Sequence, residues 1–291
     1  MIDVTSLENG WGLRWPAPAK LNLMLRIVGR RPDGYHLLQT VFQMIDWCDW
    51  LSFFPIDDGA VSLKYPTPGV KEEDDLTVRA AKLLKKLSNC KQGVMIDIEK
   101  NLPMGGGLGG GSSDAATTLV VLNKLWGLGL NKKELMDIGL QLGADVPVFV
   151  FGHSAWAEGV GEQLQEIELP DSWVVIIKPD CHVNTKEIFS AEQLTRDSKP
   201  IKMRDFLGGD VRNDCTDIVK SLYKPVHDAI EAMSRYSLSR LTGTGACVFA
   251  QFESLTEAQA TYKALEKEFT VYLAKSMSKS PLYLGLNKIQ S

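Results

Sequence analysis

The sequence predicts a two-domain protein of mixed helices and strands, of the α/β or the α+β class. Three observations support this prediction: the length of 291 residues, a composition close to the globular average, and strand patterns that alternate with helical patterns in two blocks. We assign the first block to residues 1–165 and the second to residues 166–291, with an acidic stretch at the junction. Such a chain is long enough to bury a sizeable core.

Composition and charge exclude several classes of protein. Apolar residues form 44% and charged residues 23% of the chain, which excludes a disordered or collagen-like protein. The net charge of −4 argues against binding nucleic acid through its phosphates, although it allows a local basic pocket. Five scattered cysteines, none in a C-x-x-C pair, predict free thiols in a reducing compartment.

The termini and apolar runs bear on location. Residues 1–8 contain neither a basic nor an apolar region, so we expect no signal peptide. No uncharged apolar run reaches the length of a membrane span, so we expect no transmembrane helix. A cytoplasmic protein without a membrane partner is therefore predicted.

The first block opens with a predicted strand. Residues 1–14 are weakly patterned and are expected to extend from the folded part. In residues 17–27 apolar and polar residues alternate, which is the period of a strand with one polar face, here carrying Lys20 and Asn22. After a turn signal at residues 31–34 come four aromatic residues that favour core or interface positions: Trp47, Trp50, Phe53 and Phe54.

A glycine-rich segment follows a predicted helix at residues 76–88 and a predicted strand at residues 94–98. Six of the seven residues 105–111 are glycine, and residues 112–114 are expected to cap a helix that runs to about Trp126. Glycines let main-chain N–H groups approach an anion, and a helix N-terminus adds its dipole. A flexible linker or tight turn is the alternative, which the helix cap directly after the segment disfavours.

The glycine segment does not fit the common nucleotide-binding motifs. Position 112 is serine where a Walker A motif requires lysine, and the protein-kinase signatures are absent. The match to G-x-G-x-x-G is one that any glycine run would give, and an NAD-dependent oxidoreductase would depend on it alone. We interpret the segment as a nucleotide triphosphate cradle of a third kind.

The remaining elements follow from caps and apolar runs. Asn131 and Glu134 predict a helix start and Gly143 its end. Asp145 lies directly before residues 146–151, which are predicted to form a strand. In the second block the patterns predict strands at 173–177, 241–252 and 270–275, and helices at 214–222, 226–235 and from the Ser254 and Glu257 capping pair onwards.

Lys20 and Asp145 together suit phosphoryl transfer. A carboxylate orients and deprotonates an attacking hydroxyl, while an ammonium keeps that carboxylate ionised and stabilises charge on the transferring group. Simpler interpretations are a surface lysine and an aspartate that caps a turn. Tyr35 and His36 side by side suit an aromatic heterocycle, or equally a core tyrosine beside a capping histidine.

Three segments together resemble the motifs of the GHMP small-molecule kinases. They are PAPAKLNL at 16–23, PMGGGLGGGSS at 103–113 and LTGTGACV at 241–248. Within that family, residues 31–40, 142–149 and 157–162 are similar to stretches of the branch that acts on a cytidine-diphosphate-linked polyol. The resemblance extends from about residue 15 to residue 286.

This resemblance implies a fold and an activity. The implied fold is α+β, with an N-terminal domain like domain 2 of ribosomal protein S5 and a ferredoxin-like C-terminal domain. The implied activity is ATP-dependent phosphorylation, with Mg²⁺, of the 2-hydroxyl of a methylerythritol moiety linked to cytidine diphosphate, in non-mevalonate isoprenoid precursor biosynthesis. The implied partners are ATP and this small molecule, with no nucleic acid. A mevalonate, homoserine or galactose type of GHMP kinase, or a non-catalytic nucleotide-binding protein, stays an alternative.

The resemblance also assigns site residues. Asp145 would be the base or hydroxyl-orienting group and Lys20 its partner. Lys100 would lie near the nucleotide, whose phosphates would be held by Pro103, Met104, Gly105, Gly106, Gly107, Leu108, Gly109, Gly110, Gly111, Ser112 and Ser113. The substrate site would comprise Asn22, Tyr35, His36, Phe42, Val160, Thr185 and Phe189. The cytosine would stack between Tyr35 and Phe189 and bond to His36. Asp75 stands where these enzymes often have asparagine near the adenosine, which puts a contact from that position in doubt.

Overall fold

Strands from both blocks of the chain form one continuous sheet in the computed structural model, which describes residues 10–286. The strands are β1 Trp15–Arg30, β2 His36–Ile56, β3 Val61–Leu63, β4 Gly93–Glu99, β5 Ala155–Glu158, β6 Gln163–Glu166, β7 Trp173–Lys178, β8 Arg240–Leu241, β9 Val248–Phe252 and β10 Thr270–Met277. The last strand joins the blocks, because β10 pairs antiparallel with β2 and with β7. The α+β prediction is confirmed.

Helices pack on this sheet. They are α1 Leu76–Ser88, α2 Gly110–Leu125, α3 Lys132–Leu140, α4 Val146–Phe151, α5 Thr185–Ser190, α6 Met203–Leu207, α7 Thr216–Leu222, α8 Lys224–Ser234, α9 Leu255–Leu265 and α10 Pro281–Leu286. Within the described part of the chain, none of them combines the length and the apolar character that crossing a membrane requires.

The two blocks share part of their core. One buried cluster contains Leu21 and Val41 from the first block together with Val174 and Phe249 from the second. Two further clusters lie mainly within one block each. The division of the chain at residue 165 stays a prediction.

The first strand differs from expectation in its polar face. β1 is longer than the predicted 17–27, and Lys20 and Asn22 are both almost fully buried. The polar face of β1 is therefore covered by other parts of the chain and does not face solvent: Lys20 lies against Gly107 of the glycine-rich segment, and Asn22 lies against Thr242. Trp11 is also buried, and the Gly12 N–H donates to the Phe53 carbonyl oxygen at 2.8 Å. The expected extension is thus wrong for residues 10–14, while residues 1–9 lie outside the described residues.

The long strand β2 was not predicted from the sequence, although the aromatic residues in it were. Phe53 is fully buried, and the Trp47 ring stacks on Tyr272 of β10 with 3.9 Å between ring centroids. Core and interface positions are therefore confirmed for these two residues. The five cysteines are free thiols, as predicted.

Two helices correct the sequence prediction. Residues 146–151 form helix α4 and not a strand, because an apolar run buried on all sides has no polar residues to show its period. Helix α2 begins at Gly110, earlier than predicted, with Gly109 as its N-cap and no side-chain cap.

Two local predictions hold: α1 has the predicted bounds, and Asn131 and Glu134 form the expected capping box of α3. Two others are wrong: α3 ends at Leu140, before Gly143, and the strand predicted at 241–252 is two strands, β8 and β9, which residues 242–247 separate.

Candidate active site

Lys20 and Asp145 come together beside the glycine-rich segment. The Lys20 Nζ atom lies 3.2 Å from Asp145 Oδ2, and only the carboxylate is appreciably exposed, with 37% of its side-chain surface accessible. Lys20 projects from β1, whereas Asp145 lies at the N-cap position of α4, where its side chain makes no capping bond. Its carboxylate therefore stays available to a ligand.

The Lys20 ammonium has a fixed position. It donates to Asn22 Oδ1 at 2.6 Å and to the Gly107 carbonyl oxygen at 3.1 Å. The Asn22 amide in turn donates to Thr40 Oγ1 at 2.9 Å, and Thr40 donates to a main-chain carbonyl of β1. This chain of hydrogen bonds holds the charge in one place before any ligand binds, which is the arrangement that electrostatic stabilisation of a transition state needs.

The glycine-rich segment packs against the loop that contains the third glycine motif. The N–H groups of Ala246 and Cys247 donate to the carbonyl oxygens of Gly105 and Gly106 at 3.3 and 3.1 Å. Thr242 Oγ1 donates to the Gly107 carbonyl oxygen at 3.1 Å. The two glycine motifs, which are far apart in the sequence, thus form one structure.

Gly107 has two reasons to be glycine. Its φ of +75° suits glycine, and an added Cβ would collide with the carbonyl oxygen of Thr242. We expect Gly107→Ala to cost about 1–3 kcal/mol of stability through backbone strain and to raise the KM for ATP more than the KM for the acceptor. Gly127→Ala is the matched control, because Gly127 also has a positive φ, of +63°, but lies outside the glycine-rich segment, so the change should strain the backbone without altering either KM. Equal kinetic effects of the Gly107 change on both substrates would contradict a role in holding phosphate.

The N-terminus of α2 faces a cavity. Ser112 lines this cavity, whose volume is about 310 Å³, together with Lys20 and Asp145. Ser113 is fully buried, and its Oγ has no hydrogen-bond partner. The two serines that the sequence grouped together are therefore separated by the structure, and only Ser112 is placed to touch a ligand.

Lys100 belongs to a buried charge cluster that sequence reasoning did not find. Its Nζ donates to Asp49 on β2 and to Asp114 Oδ2 on α2, the latter at 2.7 Å. Burial opposes the charge of Lys100, but the two carboxylates prevail and raise its pKa. Burial raises the pKa of Asp114 to about 7, against the opposing effect of Lys100. The sequence carries no local signal for this cluster, because its three members lie on separate elements.

Asp49 anchors the chain that leads into the glycine-rich segment. Its Oδ1 accepts from the N–H groups of Asn101 and Leu102 at 2.6 and 2.7 Å, and the side chain is fully buried. We expect Asp49→Ala to cost about 3–5 kcal/mol, since it removes one of the two carboxylates that pair with the Lys100 ammonium and leaves two N–H groups without their acceptor. Asp49→Asn, which keeps one acceptor, should cost less. Urea unfolding measures both, with exposed Asp57→Ala as control. An unfolding midpoint for Asp49→Ala equal to that of the control would contradict this role.

The predicted acceptor residues lie in three neighbouring places. Asn22, Phe42, Val160, Thr185 and Phe189 all line the cavity that holds Lys20 and Asp145. His36 stacks on the Phe189 ring at 4.9 Å between centroids but does not itself line this cavity. Tyr35 is 62% exposed and lines a smaller neighbouring cavity of about 230 Å³, which shares Ala144 and Val160 with the first.

Comparison with known proteins decides the family. The model of the GHMP kinases N terminal domain matches residues 75–153, and that of the GHMP kinases C terminal matches residues 202–271. The 4-diphosphocytidyl-2-C-methyl-D-erythritol kinase of Methylococcus capsulatus is 56% identical over 98% of both chains. The enzyme of the same name from Nitrosococcus oceani is 52% identical, over 95% of this chain and 99% of its own.

The chain belongs to the 4-diphosphocytidyl-2-C-methyl-D-erythritol kinases of the GHMP family.

Solved structures agree with this family. A crystal structure of 4-(cytidine 5'-diphospho)-2C-methyl-D-erythritol kinase matches this kinase with a TM-score of 0.79 and 30% identity, over 91% of this chain and 99% of that one. A crystal structure of mevalonate kinase matches with a TM-score of 0.67 but only 15% identity, over 92% of this chain and all of that one, which shows a shared fold alone. The predicted two-domain GHMP kinase fold is confirmed.

Asp75 has a structural role in this kinase, as a helix cap. It is the N-cap of α1, and its Oδ1 accepts from the Thr77 N–H at 2.8 Å. Its Oδ2 accepts from Thr67 Oγ1 at 2.7 Å. Asparagine would supply the same capping oxygen, so either residue satisfies the helix at this position.

The site also suits a nucleotide-bound divalent cation. Magnesium prefers oxygen ligands and commonly binds through one or two protein groups together with substrate phosphates. The Ser112 hydroxyl and the Asp145 carboxylate line one cavity and present such oxygens. Among residues 10–286 no group of three or more His, Cys, Asp or Glu side chains is arranged to hold a metal ion.

Proposed function

We propose that this kinase transfers the γ-phosphoryl group of ATP to the 2-hydroxyl of 4-diphosphocytidyl-2-C-methyl-D-erythritol, a step of non-mevalonate isoprenoid precursor biosynthesis in the cytoplasm. The observation that carries the proposal is the Lys20–Asp145 pair, at 3.2 Å, in one cavity with the glycine-rich segment. The name shared by relatives that are 50% or more identical supports the acceptor.

Asp145 is proposed to orient the acceptor hydroxyl and to take its proton. The carboxylate lines the cavity, is partly exposed, and is held beside a cation that favours its ionised form. Lys20 is proposed to stabilise negative charge on the phosphoryl group during transfer. Phosphoryl transfer requires mainly positioning and electrostatic stabilisation, and these two side chains supply both.

The ATP phosphates are proposed to lie along residues 103–113. Gly105, Gly107 and Gly109 have φ near +70°, a conformation that opens the backbone to close approach by an anion. The uncapped first turn of α2 adds free N–H groups and the positive end of the helix dipole. Magnesium, when bound with ATP, would neutralise phosphate charge. Ser112 and Asp145, which line the cavity, would supply protein oxygens to it. Lys100, whose ammonium is held by Asp49 and Asp114, is proposed to lie near the nucleotide.

The cytidyl group of the acceptor is proposed to bind on the Phe189 side of the cavity. Phe189 borders both the cavity and His36, and Tyr35 lies across Val160 from it in the adjoining cavity. A base stacked on an aromatic ring gains about 1–3 kcal/mol. Stacking between Tyr35 and Phe189, with a hydrogen bond to His36, remains our proposal for cytosine recognition.

The acceptor is tested by a coupled assay of ADP release with four alcohols at matched concentration: the diphosphocytidyl methylerythritol, mevalonate, homoserine and galactose. We expect turnover with the first alone, because a site that hydrogen-bonds a polar group discriminates against ligands that lack it. Turnover with mevalonate, homoserine or galactose and none with the cytidyl compound would refute the proposed acceptor and leave family membership intact.

A further inference from the structure

Arg196 bonds to both His36 and Phe189, two of the residues proposed to recognise the cytidyl group. It lies in the segment between α5 and α6. Its NH2 group donates to the carbonyl oxygens of Phe189 and Ala191 at 3.0 and 2.7 Å, and its NH1 group donates to the Leu194 carbonyl oxygen at 3.1 Å. Its Nε donates to His36 Nε2 at 3.3 Å. One guanidinium thus ties the end of α5 to the start of β2.

The hydrogen bonds of the Arg196 guanidinium hold main-chain groups and His36 in place. Within residues 10–286 Arg196 forms no salt bridge with a carboxylate, so main-chain carbonyls and one imidazole take up its donors. Arginine has five donors in a fixed planar fork, whereas lysine has three on a single nitrogen. The fork can therefore reach His36 and the Phe189 carbonyl at the same time.

The contact also determines the protonation of His36. Arginine is a donor only, so Nε2 of His36 must accept, and the proton of the neutral ring lies on Nδ1. Burial lowers the pKa of His36, and the charges of Arg196 and Arg30 lower it further. The Phe189 ring packs on one side of the imidazole and adds no charge. His36 is consequently held as one neutral tautomer with a single N–H donor.

We propose that Arg196 is a positioning residue for recognition of the acceptor base: it holds His36 and Phe189 as one rigid wall and keeps the imidazole in a single form. The inference rests on the proposed function, whose cytidyl acceptor this wall would contact. A wall that is already ordered loses less conformational entropy when the ligand binds, and the benefit falls on acceptor affinity and not on the chemical step.

Two substitutions distinguish the planar donor fork of the Arg196 guanidinium from its positive charge. Arg196→Gln removes both the fork and the charge, and Arg196→Lys keeps the charge but loses the fork. We expect each to raise the KM for the cytidyl acceptor by about 10–100-fold, as for a lost hydrogen bond to a charged group. The kcat value and the KM for ATP should stay close to those of the wild type. Arg204→Gln, at an exposed position on α6, is the matched control and should change none of these values.

An NMR titration measures the pKa of His36, which reports directly on its contact with Arg196 and not on the stability of the fold. Removing a neighbouring positive charge raises the pKa of a histidine, so Arg196→Gln should move the pKa of His36 up towards its ordinary value. Arg196→Lys should leave it lowered.

Three outcomes overturn the inference. One is an acceptor KM in Arg196→Gln equal to that of the wild type. Another is a parallel rise in both KM values with a lower melting temperature, which would mean that Arg196 only stabilises the fold. The third is an unchanged His36 titration in Arg196→Gln. If the wild type does not turn over the cytidyl acceptor, the proposed function fails by itself, and calorimetric binding of the cytidyl compound to the wild type and to Arg196→Gln then decides the role of Arg196: equal affinities overturn it.

Discussion

Replacing Asp145 with asparagine should lower kcat by about 10²–10⁴-fold, the usual contribution of a positioned proton acceptor. The amide has nearly the shape of the carboxylate, so the cavity and the α4 start should persist. It has no negative charge, however, and can neither take a proton from the acceptor hydroxyl nor pair with the Lys20 ammonium 3.2 Å away. The loss should therefore fall on turnover, while ATP still binds.

The measurement is steady-state turnover of purified Asp145→Asn together with ATP binding by calorimetry. Asp137→Asn is the matched control: it changes an exposed aspartate on α3 that pairs only with Lys133 of the same helix. Near-normal turnover in Asp145→Asn would remove this residue from the chemistry. A loss of only a fewfold would leave it an orienting group.

Replacing Lys20 with alanine should remove most activity, by about 10²–10³-fold, the effect of deleting one fixed electrostatic donor. Replacing it with arginine should not restore activity. The Lys20 Nζ lies between Asn22 Oδ1 at 2.6 Å and the Gly107 carbonyl oxygen at 3.1 Å, and a Cβ added at Gly109 would lie only 3.2 Å from Lys20 Cε. A longer, planar guanidinium cannot put a compact charge in this space.

Steady-state kinetics of both Lys20 variants test this, with Lys86→Ala on the exposed face of α1 as control. The melting temperature of each variant should be recorded, because Lys20 is buried and its loss leaves Asn22 Oδ1 without its donor. A fully active Lys20→Arg enzyme would contradict the proposed role and leave this residue a structural charge. Activity of Lys20→Ala equal to that of the control would do the same.

Predictions of helix starts and ends from the sequence were correct where the groups that bond to one another lie a few residues apart. The capping box of Asn131 and Glu134 and the bounds of α1 depend on groups a few residues apart, and both are confirmed. The glycine run and the three motifs indicated the kinase family that the comparisons then confirmed. The same local reasoning failed for residues 146–151, because a helix buried on every side has the composition of a buried strand.

The sequence by itself thus determined the family, the fold class and the identity of Lys20, Asp145 and the glycine-rich segment as the residues to examine. Only the tertiary structure decided that Ser112 faces the cavity while Ser113 is buried, that Asp49 holds the entry to the glycine-rich segment, and that Arg196 reaches His36. The physical reason is the separation along the sequence of the residues that interact. Caps, turns and glycine conformations depend on adjacent residues, whereas these contacts join distant parts of the chain, and the register of the sheet and the packing of helices upon it bring them together.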